Sequence, residues 1–129
     1  MQPKILIIED QADIRRLIRW ALEDSGVVVH EVANGVMGLQ VAKVLKPDLI
    51  LLDVMMPGGL NGLEVCTEIK KDAGLQNTLV VMLTAKASSK DHEAALMAGA
   101  DAFLPKPFSP AKLVELIEAL LRQRRPAET

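Results

Sequence analysis

Residues 49–53 read LILLD, four consecutive aliphatic side chains followed by a carboxylate. A short unbroken apolar run has no alternation and therefore no wet face. It fits a strand covered on both sides, as in a parallel sheet held between layers of helices. KILII at 4–8 and LVVML at 79–83 share that character, and weaker runs at 27–32 and 102–104 complete a set of five. The intervening stretches have helical spacing. Ile14, Leu17, Ile18, Ala21 and Leu22 recur at intervals of three and four, with Asp13 early in the segment. Leu113, Ile117, Leu120 and Leu121 do the same after Ser109-Pro110, which reads as an N-cap followed by proline at the first helical position. Further helices are expected near 35–44, 63–71 and 88–98. Repeated βα units with right-handed crossovers build a parallel sheet, and five strands are too few for the eight-stranded barrel. The expected fold is α/β, a doubly wound five-stranded parallel sheet with five helices.

Composition narrows the class of protein. A chain of 129 residues is one domain's worth and buries about two-thirds of its unfolded surface. Half of it is apolar and a quarter charged, the balance of a globular protein. Fifteen basic against 17 acidic residues leave a net charge of -2, which gives no general basic field for gripping nucleic acid. The single cysteine, Cys66, cannot form an internal disulfide and reads as a small apolar packing residue; no Cys/His cluster has zinc spacing. The apolar runs fall far short of the ~20 residues that span a bilayer. The N-terminal MQPKILIIEDQ turns acidic where a signal peptide would still be apolar. A cytoplasmic protein is favoured over a secreted or membrane-spanning one. His30 and His92 share no motif with a nucleophile and read as surface groups, whereas Trp20 is expected to be partly buried. Arg122, Arg124 and Arg125 complement a helix C-terminus. The domain is expected to occupy 1–122, with 123–129 a short polar tail.

Open α/β sheets bind ligands beyond the carboxyl ends of their strands, so the residues following each run decide the chemistry. Glu9 and Asp10 follow the first run, Asp53 the third, Thr84 the fourth and Lys106 the fifth. Asp10 taken alone reads as a helix cap; with the others it belongs to a cluster. Three converging carboxylates repel, and their pKa values rise unless a cation is present. Oxygen ligands without imidazole or thiolate suit Mg²⁺, which accepts one or two carboxylates plus a phosphate. Lys106 adds a fixed positive charge and Thr84 a hydroxyl donor. That set suits a phosphoryl group in transfer, with Asp53 as a carboxylate nucleophile.

ILIIEDQ, LILLDVMMPGGLNGLE, VVMLTAK and GADAFLPKPF, in this order and spacing, resemble the receiver domain of two-component response regulators, from about Lys4 to Leu121. The resemblance implies a flavodoxin-like sheet in the order 2-1-3-4-5. It implies Mg²⁺ held by Glu9, Asp10, Asp53 and the backbone carbonyl of Met55. Asp53 would be the phosphoacceptor, supplied by a histidine kinase or phosphotransfer protein. Thr84 and Lys106 would engage the phosphoryl oxygens, Lys106-Pro107 would be cis, and Phe103 would lie at the aromatic switch position. A half-buried core role for Phe103 reads equally well. The surface of helix 4, strand 5 and helix 5 would change for a downstream protein target, with a phosphorylation-dependent dimer as one outcome. The first helix is where family members meet their kinases. The implied protein is a signalling switch that phosphorylates and dephosphorylates itself. It would turn over no external substrate and make no direct nucleic-acid or membrane contact.

This sequence departs from the pattern in three places. The loop Pro57-Gly58-Gly59-Leu60-Asn61-Gly62 is one residue longer than the commonest version, Phe103 stands where Tyr is frequent, and Ala102 and Leu116 replace charged members of a dimer signature. Two rival readings use the same parts. A haloacid-dehalogenase-like phosphohydrolase wants a second Asp two positions after the nucleophile, where Met55 stands. A flavin carrier wants a Ser/Thr/Gly-rich phosphate loop after strand 1 and stacking aromatics, where this chain has acid and three aromatics in all.

Overall fold

The computed structural model describes residues 2–56, 60–84 and 89–124. Along the chain it forms β1 (Lys4–Ile8), α1 (Ala12–Ala21), β2 (Val28–Val32), α2 (Gly35–Leu45), β3 (Leu49–Asp53), α3 (Gly62–Lys71), β4 (Leu79–Thr84), α4 (Ser89–Met97), β5 (Ala102–Pro105) and α5 (Pro110–Arg124). A single 3-10 turn at Ala73–Leu75 joins α3 to β4. All four strand pairings are parallel, in the order β2-β1-β3-β4-β5. Among the described residues, no helix is long and apolar enough to cross a membrane.

The unbroken apolar runs do what their lack of alternation implies. Every residue of β3 is buried, and the sheet divides the core into two clusters by strand parity. Leu6, Ile8, Ile50, Leu52, Val80 and Met82 face one layer with Val65 and Ile69 of α3 and Ala42 of α2. Ile5, Ile7, Leu49, Leu51, Val81 and Leu83 face the other, with Ile18 of α1 and Leu113, Ile117 and Leu121 of α5. Each fully buried aliphatic side chain contributes about 1.5–3 kcal/mol, so an interior strand contributes to both layers at once. β2 lies at an edge and is half-exposed throughout.

Local chemistry sets the helix ends. Asn34 caps α2 by accepting from the Met37 N–H (2.9 Å). Asn61 and Glu64 form a reciprocal capping box on α3. Ser109 accepts from the Lys112 N–H at the start of α5 (3.1 Å). Trp20, expected to be partly buried, is instead 65% exposed. It follows Ile18 by two residues and so lies about 200° round the helix from the buried face. Cys66 is buried against the Ala98 carbonyl (3.4 Å), and burial pushes its thiol up to about 11, an unreactive packing residue.

Gly62 fixes the approach of α3 to the end of β3. A Cβ there would lie 2.1 Å from the Asp53 carbonyl oxygen and 2.7 Å from the Val54 Cα, backbone atoms that cannot swing aside, and its N–H donates to the Val54 carbonyl (3.0 Å). Gly62→Ala is expected to destabilise the fold by about 3 kcal/mol, the upper part of the usual overpacking range. The measurement is the urea midpoint, with an unchanged m-value.

Candidate functional site

The sheet order reverses direction between β1 and β3: the chain leaves β1 toward β2 on one side and later leaves β3 toward β4 on the other. Loops parting at such a point leave a crevice beyond the carboxyl ends of the strands. Glu9 directly follows β1, Asp53 is the last residue of β3, Thr84 the last of β4, and Lys106 the first after β5. Carboxylate oxygens of Glu9, Asp10 and Asp53 all lie within 4.8 Å of one another. The Lys106 ammonium sits 3.0 Å from Glu9 Oε1 and 3.3 Å from Asp53 Oδ1. Its backbone N–H donates to the Thr84 carbonyl (2.6 Å), which ties the end of β5 to the end of β4, and its peptide bond to Pro107 is cis.

The electrostatics are those of a buried acidic cluster. Glu9 is fully buried and Asp53 nearly so, with Thr84 buried beside them in sequence register with Pro105. Burial pushes the Glu9 carboxyl up to about 7, against the lowering effects of Lys106 and the Gln11 N–H, and Asp53 adds to the rise. Burial likewise raises Asp53, although Lys106 and the Met55 N–H favour its charged form. One lysine does not balance three carboxylates. Glu9 Oε1, though beside the ammonium, has no aligned hydrogen-bond donor among the described residues. Its one close cation among the described residues is the shared Lys106 ammonium, and the donor set is all oxygen, which suits a hard divalent ion.

Asp10 does not cap α1: Gln11 holds the N-cap position, and no side chain caps that helix. The Gln11 N–H donates instead to Glu9 Oε2 (3.1 Å), so the turn after β1 is organised around the acidic pair. The Met55 N–H donates to Asp53 Oδ1 (3.2 Å), while its side chain is exposed. Phe103 is half-buried in the cluster shared with α2 and α3. Residues 57–59 of the lengthened loop, with Ala85 and Lys86, lie outside the described residues, as does the side chain of His92.

Two features of the site escape sequence reading. One is the close approach at Gly62, hinted at by Asn61-Gly62 ahead of a helix with Glu64 at its third position. The other is Arg15, which donates to the Glu9 carbonyl oxygen (2.7 Å) and pairs with Glu31 of β2 (3.1 Å). Its spacing of four from Arg19, which also pairs with Glu31, is the signal that could have marked it. Arg19 and Arg15 together hold the Glu31 carboxyl below its ordinary range.

Comparison with known proteins agrees with this arrangement. A family model described as the response regulator receiver domain matches residues 5–118. The DNA-binding response regulator MtrA of Mycolicibacterium paratuberculosis is 37% identical over 130 residues, 99% of this chain and 56% of the relative. The transcriptional regulatory protein ResD of Bacillus subtilis is 40% identical, over 95% of this chain and 49% of its own. This chain thus spans about half the length of such curated relatives. Among solved structures, a CheY-like receiver domain protein from Methanospirillum hungatei superposes with a TM-score of 0.89 at 29% identity, covering 97% of this chain and 98% of that one. The receiver domain of a signal transduction histidine kinase from Syntrophus aciditrophicus gives 0.88 at 30%, covering 98% and 96%. With the fold, the acidic crevice and the family match in agreement, the chain belongs to the response regulator receiver family, whose members act as phosphorylation-dependent switches in signal transduction.

Proposed function

We propose that Asp53 is the phosphoacceptor of this switch, served by Mg²⁺ and by a phosphohistidine on a histidine kinase or phosphotransfer protein. The observation that carries this reading is the meeting of Glu9, Asp10, Asp53 and Lys106 from three separate strand ends around one buried, under-neutralised spot. Glu9, Asp10, Asp53 and the Met55 carbonyl would hold the ion. When bound, Mg²⁺ supplies the charge neutralisation that lets carboxylates and phosphoryl oxygens share a small space. An Asp53 carboxylate oxygen attacks phosphorus, the phosphorus–nitrogen bond of the donor breaks, and its imidazole leaves. Lys106, now paired to Glu9 and Asp53, gains a phosphoryl oxygen as partner, and the Thr84 hydroxyl donates a hydrogen bond to another. The added charge, ~-1.5 to -2 on a typical phosphorylated side chain, draws Lys106 and Thr84 inward. Because the Lys106 backbone is tied to the Thr84 carbonyl, that movement reaches β5 and Phe103, and through them the α4–β5–α5 surface.

On this reading the protein modifies itself, turns over no external substrate, works in the cytoplasm and signals to a protein target without contacting nucleic acid. The DNA binding named for MtrA belongs to a relative about half of which aligns here.

Wild type is expected to gain one phosphoryl group from acetyl phosphate with Mg²⁺ by intact mass, and Asp53→Asn none; gain by the variant would place the acceptor elsewhere. Lys106→Ala should still take up Mg²⁺ and phosphoryl yet show equal partner affinity before and after phosphorylation. Acidity provides a separate check. Glu9 is held near 7 in the fold against an ordinary 4.5, so the folded, metal-free protein keeps a proton that the unfolded chain releases. That contribution is fully present below about pH 4.5 and is lost as pH rises toward 7. The melting temperature without metal should fall across this window. Added Mg²⁺ should raise it more at pH 8 than at pH 5, and equal gains at both would contradict the proposed ligand set.

A further inference from the structure

Glu9 is held by its backbone as well as by its carboxylate. Its N–H donates to the Val32 carbonyl of β2 (3.1 Å), and its carbonyl oxygen accepts from Arg15 Nη1 (2.7 Å). The same guanidinium donates through Nε to Glu31 Oε1 (3.1 Å), one residue before Val32 on the same strand. β2 therefore fixes Glu9 twice, once directly and once through Arg15. Both Arg15 and Glu31 are largely shielded from solvent, where a charge-assisted, hydrogen-bonded guanidinium is rigid. Arg19 supports Glu31 from the next turn of α1 and bonds the Val29 carbonyl (3.1 Å), so among the described residues its partners lie on β2. Gln11, the N-cap of α1, brings no side-chain cap, so Arg15 is a side chain of this helix that fastens it to the acidic turn before it.

We infer that Arg15 is a positioning residue for the metal site, holding the Glu9–Asp10 turn in place through the Glu9 carbonyl and itself oriented by Glu31. The inference rests on the proposed Mg²⁺ reading and adds to it a part that touches neither the ion nor the phosphoryl group. Outer partners that orient metal ligands are worth roughly 10–100-fold in affinity.

Calorimetric titration with MgCl₂ alone, on the full chain, tests it. Arg15→Met is expected to weaken Mg²⁺ binding about tenfold, and Arg15→Lys to recover part of the loss, because an ammonium can reach the carbonyl. Arg19→Met removes the neighbouring ion pair to Glu31 while leaving the contact with Glu9; it should lower the melting temperature and leave Mg²⁺ affinity within about twofold. Glu31→Gln, which keeps the shape and loses the charge, should weaken Mg²⁺ binding and serves where Arg15→Met does not fold. Wild-type affinity in both Arg15→Met and Glu31→Gln would overturn the inference and leave the metal reading standing. Equal weakening in Arg15→Met and Arg19→Met would overturn it too, since the loss would then follow general stability. A wild type that takes up no Mg²⁺ would overturn the metal reading itself, and this inference with it.

Discussion

Two carboxylates forced out of water beside each other constrain everything else in this molecule. Glu9 and Asp53 are buried at adjacent strand ends, where ionisation is disfavoured, and one lysine partly offsets their charge. A fold designed only for stability would fill that crevice with apolar side chains, which often do as well as or better than a buried ion pair. Here the strained charge balance persists at the place where the sheet order reverses, and the surroundings are arranged to hold it. Gly62 lets the start of α3 press against the Asp53 backbone, Met55 and Gln11 lend N–H groups to the carboxylates, and Lys106 is anchored through its own backbone to β4.

On the proposed reading, that arrangement makes the unmodified state a waiting one. The charges at the site are compatible with each other only approximately, so a further cation and a further anion arriving together improve the balance. The hydrophobic layers above and below are closely interdigitated and have little reason to respond. On the proposed reading, the groups whose partners change are Lys106, Thr84 and what they are tied to.

Much of this was legible in the chain. The aliphatic runs gave the buried strands to within a residue, since a parallel sheet with two covered faces demands that pattern, and the residues after each run named the acidic crevice. The resemblance supplied the strand order. What stayed hidden depends on distances that sequence spacing does not encode. The spacing of four between Arg15 and Arg19 marks a shared helix face but not its partner until β2 brings Glu31 alongside, and Asn61-Gly62 marks a helix start but not the Asp53 carbonyl beneath it. Bulk and apolarity suggest burial for Trp20, whereas its angular position on α1 leaves it exposed. The 3-10 turn after α3 has no apolar period to reveal it.

The position of β5 in the sheet carries a mechanical consequence. It pairs with β4 along one side only, so it can slide or tilt without tearing a second ladder of hydrogen bonds. Its consecutive residues point into opposite layers, Phe103 into the cluster that holds Ala95 of α4 and Leu104 into the one that holds Leu113 and Ile117 of α5. A small displacement of this margin would therefore be felt on both sides of the molecule, while the central strands are locked on both flanks.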